Sequence, residues 1–303
     1  MILNATVGAE LEGARLDDGL KALFPQLSKT EIRRLIDWGS CTINMALVRV
    51  ASRQLHRGDV IALGLIEKER CLDLVYTAGD MLYEDRDCLA VNKGIGINSQ
   101  RTPYQLKGTA EYAVGCYLRA IGLNEEARIV HRLDRGTSGV LFFPKNKKAA
   151  THIAGEFKAG RVEKVYWAVV SGTPAEEAWQ VDAPIGKLNK FRYGVMQPGK
   201  SSVTNFRVLA RGAGSALIES KPLTGRTHQI RVHLAHSGLP IIGDVNYGAP
   251  PAERIMLHCR RMAFKGPSGQ QISAEAPVDG TFCAICAGLG ILIEPTGDET
   301  GND

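Results

Sequence analysis

No apolar run in this 303-residue sequence approaches the roughly 20 residues that a membrane-spanning helix needs, so a membrane protein of that kind is not expected. Residues 1–13 lack a basic flank followed by an apolar core, so no secretory leader is expected either. The seven cysteines are scattered and odd in number. That argues against a disulfide framework and for a reducing, cytoplasmic setting. The single C-x-x-C, Cys283 and Cys286, has no second pair to make a zinc site, and buried thiols are the better expectation there. Internal repeats and low-complexity tracts are also missing. What remains is an ordinary globular composition, 44% hydrophobic and 23% charged, long enough for one large domain or two unequal ones. The net charge of +5 is compatible with a polyanionic partner without requiring one.

The basic charge is uneven. Lys29, Arg33, Arg34, Arg49, Arg53 and Arg57 lie between Leu27 and Gly58, opposed only by Glu31 and Asp37. In the same region Leu16, Leu20, Leu23 and Phe24 recur at helical spacing and predict a short helix ending near Pro25. Ser28-Lys29-Thr30-Glu31 is a capping-box pattern opening a second helix, with Ile32, Leu35 and Ile36 on its apolar face and Gly39 at its end. Arg33 and Arg34 are expected to point away from that face. Residues 41–44 and 60–63 read as strands, the second entered through Gly58-Asp59. Residues 1–66 are thus expected to form a small α/β module in which Lys29, Arg33, Arg34 and Arg49 meet RNA. A basic cap that merely stabilises the rest is the plainer alternative, and the several cations on non-core positions weigh against it. Arg15-Leu16-Asp17, Ser28, Ile36, Gly39, Ile43-Asn44 and Gly58-Asp59-Val60 resemble the RNA-binding module of the ribosomal S-four protein type. Met45 stands where that family usually has glycine. A linker is expected over 67–80, a catalytic part over 81–303, and a frayed acidic tail over 294–303.

Three clusters carry chemistry. His131 to Gly139 is a dense polar run between apolar Ile129-Val130 and 140–143, so it reads as a loop joining two strands. Arg132 and Arg135 flank Asp134, and contact with either holds its carboxylate ionised, fit for a nucleophile or base. For an isolated Asp-Arg pair a structural ion pair is the more ordinary explanation. The second cluster, 224–236, holds Arg226, Arg231, His228, His233 and His236 on one element, for which Thr227 is the expected helix cap and Gly238 the expected end. The histidine spacing lacks the pattern of a zinc-peptidase helix, so no metal is expected. The third is a strand over 162–170 that puts Lys164 and Tyr166 on one face. Lys145, Lys147, Lys148, Lys158, Arg161 and Lys164 form a second basic stretch that reads as a solvated helix face.

Taken together, HRLDRGTSG at 131–139, KVYWAVVSG at 164–172, TGRTHQIRVHLAHSGLPIIGD at 224–244 and MLHC at 256–259 resemble the RluA-type pseudouridine synthases. Asn92-Lys93-Gly94-Ile95-Gly96-Ile97 resembles the early family motif, with Gly94 where proline is usual. The resemblance implies an α+β fold with a mixed, largely antiparallel sheet and a central cleft, preceded by the small RNA-binding module. It places the catalytic carboxylate on Asp134, the base-displacing arginine on Arg132, the active-site tyrosine on Tyr166 and the arginine paired with the aspartate on Arg231. Leu257 would pack against the reacting base, with His131 also on the substrate side. Tyr166 would stack on uracil and assist the final proton removal.

The implied activity is isomerisation of uridine in a structured RNA by a cytoplasmic monomer. Large-subunit ribosomal RNA is the first expectation and transfer RNA the alternative. No cofactor is expected, because substrate and product contain the same atoms. Asp134 would act on the ribose as nucleophile or as base, and the sequence leaves both open. Rival readings are a non-catalytic RNA-binding or ribosome-assembly factor, a zinc hydrolase, and a glycoside hydrolase. The last normally needs a second carboxylate, and none stands out near Asp134.

Overall fold

The computed structural model describes residues 1–65, 74–102, 104–123, 126–189 and 192–293. Half of the expected linker, 67–73, and all of the 294–303 tail lie outside the described residues. The chain forms two compact units, Met1–Tyr76 with Ile97–Ala127 and Thr77–Gly96 with Arg128–Asp303. Segment Ile97–Ala127 therefore joins the first unit, whereas the sequence reading placed it in 81–303.

In the first unit, β1 (Ile2–Thr6), α1 (Leu16–Leu23), α2 (Lys29–Asp37), β2 (Cys41–Ile43), β3 (Ala46–Val48) and β4 (Val60–Gly64) are joined by a later helix, α3 (Ala110–Ala120). The strands form an antiparallel sheet in the order β1-β4-β2-β3. Leu16, Leu20, Ile32, Ile36, Ile43 and Ile61 make its core with no solvent exposure. The capping box opens α2 as the sequence predicts. The Glu31 N–H donates to Ser28 Oγ at 3.2 Å, and the Ser28 N–H donates to Glu31 Oε2 at 2.9 Å. Asn44 and Met45 form the two-residue turn between β2 and β3, with φ of 50° and 66°. That is the left-handed pairing a tight hairpin demands, and Met45 adopts it despite its side chain. The segment before α3 is tied to the end of α2: the Leu106 N–H donates to the Trp38 carbonyl at 2.7 Å, Ser40 Oγ donates to the Tyr104 carbonyl at 2.6 Å, and Lys107 pairs with Asp37.

The second unit contains β5 (Met81–Glu84), β6 (Cys88–Lys93), β7 (Ser138–Pro144), α4 (Lys147–Lys158), β8 (Glu163–Ser171), β9 (Ala178–Asp182), β10 (Ile185–Lys187), β11 (Tyr193–Val195), β12 (Val203–Gly212), β13 (Ser215–Pro222), α5 (Gln229–His236), β14 (Leu257–Lys265), β15 (Gln271–Glu275) and α6 (Gly280–Gly288). Nine of these strands form one sheet in the order β5-β6-β7-β14-β8-β13-β12-β9, with β15 also on β14. Among the described strands only β7 and β14 pair in parallel. The fold is therefore α+β with a mixed, largely antiparallel sheet. β14 shares one edge between two partners: His258 and Cys259 pair with β7, and Arg261 to Lys265 pair with β15. Gly139 makes the first contact possible. A Cβ there would lie 2.2 Å from the Cys259 carbonyl oxygen, and its φ is +112°.

Three local expectations need correction. Ile129-Val130 is not a strand, because β6 and β14 occupy the two edges of β7. Thr227 does not cap α5; His228 occupies the cap position. Of the C-x-x-C pair on α6, only Cys286 is buried, and Cys283 is exposed. No helix of the described residues is long and apolar enough to cross a membrane.

Candidate active site

The loop before β7, strand β8, the start of β14 and the N-terminus of α5 enclose a cavity of about 680 Å³ within the second unit. That is the size range of small-molecule sites. Leu133 is buried and anchors the loop, and the Thr137 N–H donates to the Asp134 carbonyl at 3.0 Å, closing a turn at Asp134. The Asp134 side chain is left 23% exposed at the cavity wall. Tyr166 on β8 pairs in register with Cys259 on β14, and Leu257, two residues earlier on β14, is buried and lines the same space. Arg132 is exposed at the cavity wall.

Arg231, on the first turn of α5, is 6% exposed and serves two carboxylates. Its Nε donates to Asp244 Oδ2 at 2.6 Å and its Nη2 to Asp244 Oδ1 at 2.8 Å, a two-pronged bond that fixes the guanidinium plane. The remaining Nη1 stands 3.6 Å from Asp134 Oδ2. Asp244 was not singled out from the sequence, although it ends the matched block at 224–244. His228 was noted there only as one of three histidines, and its Nε2 lies 3.7 Å from the same oxygen, Asp134 Oδ2. Its Nδ1 is 2.8 Å from the Tyr247 hydroxyl. The Tyr247 ring also faces the Arg231 guanidinium at 5.0 Å, a cation–π contact.

Burial sets the protonation of the other groups. Desolvation, reinforced by the neighbouring Cys259 thiol, raises the Tyr166 phenol well above its ordinary value. A phenol held protonated suits stacking and hydrogen-bond donation rather than the proton removal expected of it. His131 is pulled down to about 3 by burial and is neutral. It lines the cavity, but its Nε2 accepts the Phe142 N–H at 2.9 Å and its ring stacks on Phe157 at 4.7 Å. Its ring thus braces β7. Lys93, at the end of β6, is fully buried and is pulled to about 7 by desolvation, against the attraction of the Asp134 charge. Among the described residues no group of three or more His, Cys, Asp or Glu side chains is placed to hold a metal.

The expected RNA contacts lie in the first unit. Lys29 pairs with Asp18, Arg33 with the buried Asp17 at 2.7 Å, and Arg49 with Asp37 at 3.5 Å. Arg34 is half-buried instead of turned outward, with its Nε shut away from solvent. Counting charges over 27–58 registered Asp37 but not Asp17 and Asp18, which come earlier in the chain.

Residues 87–236 match the family model of the RNA pseudouridylate synthases. An uncharacterised RNA pseudouridine synthase of Bacillus subtilis, YlyB, is 33% identical over 300 residues, covering 95% of this chain and 98% of that protein. Ribosomal large subunit pseudouridine synthase D of Haemophilus ducreyi is 29% identical over 309 residues, covering 95% of each. Among solved structures, human RNA pseudouridylate synthase domain containing 4 superposes with a TM-score of 0.62 over 71% of this chain and 94% of its own. At 23% identity that likeness speaks for the fold.

Proposed function

Because the chain belongs to the RNA pseudouridylate synthase family and is an isomerase acting on RNA, we propose that Asp134 carries the reaction and that the substrate is large-subunit ribosomal RNA. The observation that carries the first half is a partly exposed carboxylate facing a nucleotide-sized cavity beside an arginine that a second carboxylate already holds in place. The second half rests on relatives such as the Haemophilus ducreyi protein, named for the large ribosomal subunit.

Uridine and pseudouridine differ only in which uracil atom bonds the sugar. The enzyme must break the glycosidic bond, turn the base and rejoin it through carbon, a sequence that balances without oxidant or nucleotide energy. A stacked uridine is out of reach, so it is everted into the cavity at a cost of about a few kcal/mol. Arg132, exposed at the wall, takes up space the base vacates. Leu257 packs against the uracil, Tyr166 stacks on it, and His131 holds β7 beneath the substrate. The Asp134 carboxylate then meets the ribose, as nucleophile at the anomeric carbon or as base at its neighbour. Arg231, 3.6 Å from Asp134 Oδ2, orients the carboxylate toward the sugar. Residues 1–66 serve as the RNA-binding module, with Lys29, Arg33 and Arg49 nearest the phosphates and the half-buried Arg34 less accessible to them. Asp17 and Asp18 hold the first two of the outward cations in fixed positions.

The test is a pseudouridine map of ribosomal and transfer RNA with and without the gene. One or more sites in large-subunit RNA should vanish and return with the wild-type gene but not with Asp134→Asn. Loss confined to transfer RNA would overturn the substrate, rescue by Asp134→Asn would overturn the residue, and an unchanged map would overturn both.

A further inference from the structure

We propose that Tyr247 and His228 form a positioning pair that presents an uncharged N–H to Asp134 Oδ2, so that Oδ1 is the oxygen that meets the sugar. This rests on the reading of Asp134 as the reacting carboxylate. The first observation is the backbone of His228, with φ 58° and ψ 19°, at the start of α5. A non-glycine residue in the left-handed region is strained and persists where the surroundings fix it. His228 makes no capping bond to the helix. Its ring is instead set edge-on between Tyr193 and Tyr247, with centroids 5.6 and 5.7 Å away.

The second observation fixes the proton. The Tyr247 oxygen accepts the Tyr193 N–H at 3.2 Å and lies 2.8 Å from His228 Nδ1. With one lone pair engaged, the phenol's own proton is directed to Nδ1. Burial raises Tyr247 above its ordinary value, so the phenol keeps that proton at neutral pH. An imidazole that accepts at Nδ1 carries its hydrogen on Nε2, the nitrogen facing Asp134. Desolvation also lowers His228, with the Arg231 and Arg132 charges opposing its protonation and those of Asp134 and Asp244 favouring it. The ring is therefore a neutral donor.

The third observation is that both donors approach one oxygen. Arg231 Nη1 and His228 Nε2 stand 3.6 and 3.7 Å from Oδ2. Separations of this size before substrate enters shorten in the reacting complex. One cation and one dipole orient the carboxylate.

The experiment uses the full-length protein and ribosomal RNA from cells lacking the gene, following pseudouridine formation against RNA concentration. His228→Ala should lower kcat by about 10- to 100-fold with KM little changed, the usual scale for a group acting through another. Tyr247→Phe should lower kcat by less, because it frees the tautomer without removing the ring. His228→Gln, whose amide N–H can reach Oδ2, should recover part of the loss. Thermal midpoints are measured alongside. If His228→Ala or Tyr247→Phe keeps wild-type kcat, even with a lowered midpoint, the pair only packs and the inference fails. Should His228→Ala not fold, Tyr247→Phe and His228→Gln decide. Asp134→Asn runs in the same assay: if it stays active, the underlying assignment fails rather than this one.

Discussion

Met45 illustrates how much one side chain can cost where it makes no contacts. It is 96% exposed at the tip of a two-residue hairpin whose geometry needs φ above zero at both positions. Left-handed backbone costs a non-glycine residue about 1–2 kcal/mol. Glycine gives back about 0.5–1 kcal/mol through its greater freedom when unfolded. Met45→Gly should therefore stabilise the protein by about 0.5–1 kcal/mol, read as a rise in denaturant midpoint with an unchanged slope. No gain, or a loss, would mean that the methionine is held by something other than the turn. The same scale explains a gap in reading the site. Arg231 was legible from its motif, but its principal partner is Asp244, thirteen residues later and beyond a turn. The link exists only once α5 and that turn have folded together.

Among elements, the pairing of β7 with β14 sets the site, since one carries the Asp134 loop at its head and the other begins with Leu257. Gly139→Ala would drive a methyl into the Cys259 carbonyl and force a φ that alanine avoids. A loss of about 3 kcal/mol or more is expected, together with lowered kcat, from combined overpacking and backbone strain. Gly155 on α4 is the contrasting case. It is exposed with open space at its Cβ, so Gly155→Ala should stabilise by about 0.5–1 kcal/mol. Equal effects on chemical-denaturation stability would contradict this account. Elements governed by local rules were legible in advance: the capping box of α2, the end of α1 before Pro25, and β4 after Gly58-Asp59. Ile129-Val130 misled because an apolar pair beside a polar loop looks like a strand, and only the sheet order shows that both edges of β7 are taken by β6 and β14. Arg34 misled because helical spacing gives direction but not depth.

For the molecule as a whole, acid stability follows from two histidines held without charge, His258 buried and His131 half-buried at the cavity wall. On β14, His258 accepts a hydrogen bond from Ser138 Oγ at Nδ1 (2.8 Å) and donates one from Nε2 to the Ala276 carbonyl (3.0 Å). Arg254 donates to the same Ser138 oxygen and pairs with Asp279, so the network joins β7, β14 and the start of α6. Burial lowers His258 to about 4 and His131 to about 3, below the ordinary value of 6.5. Between those values and 6.5 the unfolded chain binds more protons than the folded one. Stability is thus complete above about pH 6.5 and declines through about pH 4, by a few kcal/mol in total. His258→Asn, with a carbonyl able to accept from Ser138, should show a flatter thermal midpoint between pH 6.5 and 4; an equally steep decline would reject the assignment. The division of the chain was the least legible feature, because nothing in 97–127 announces that it returns to the first unit. That return has a practical side. Tyr104, Leu106 and Lys107 are bonded to Ser40, Trp38 and Asp37, so cutting the gene near residue 76 would strip this later segment of its neighbours. A shortened protein that loses activity would then report a damaged remainder as readily as a missing module, and exchange of whole units with a relative must carry both pieces.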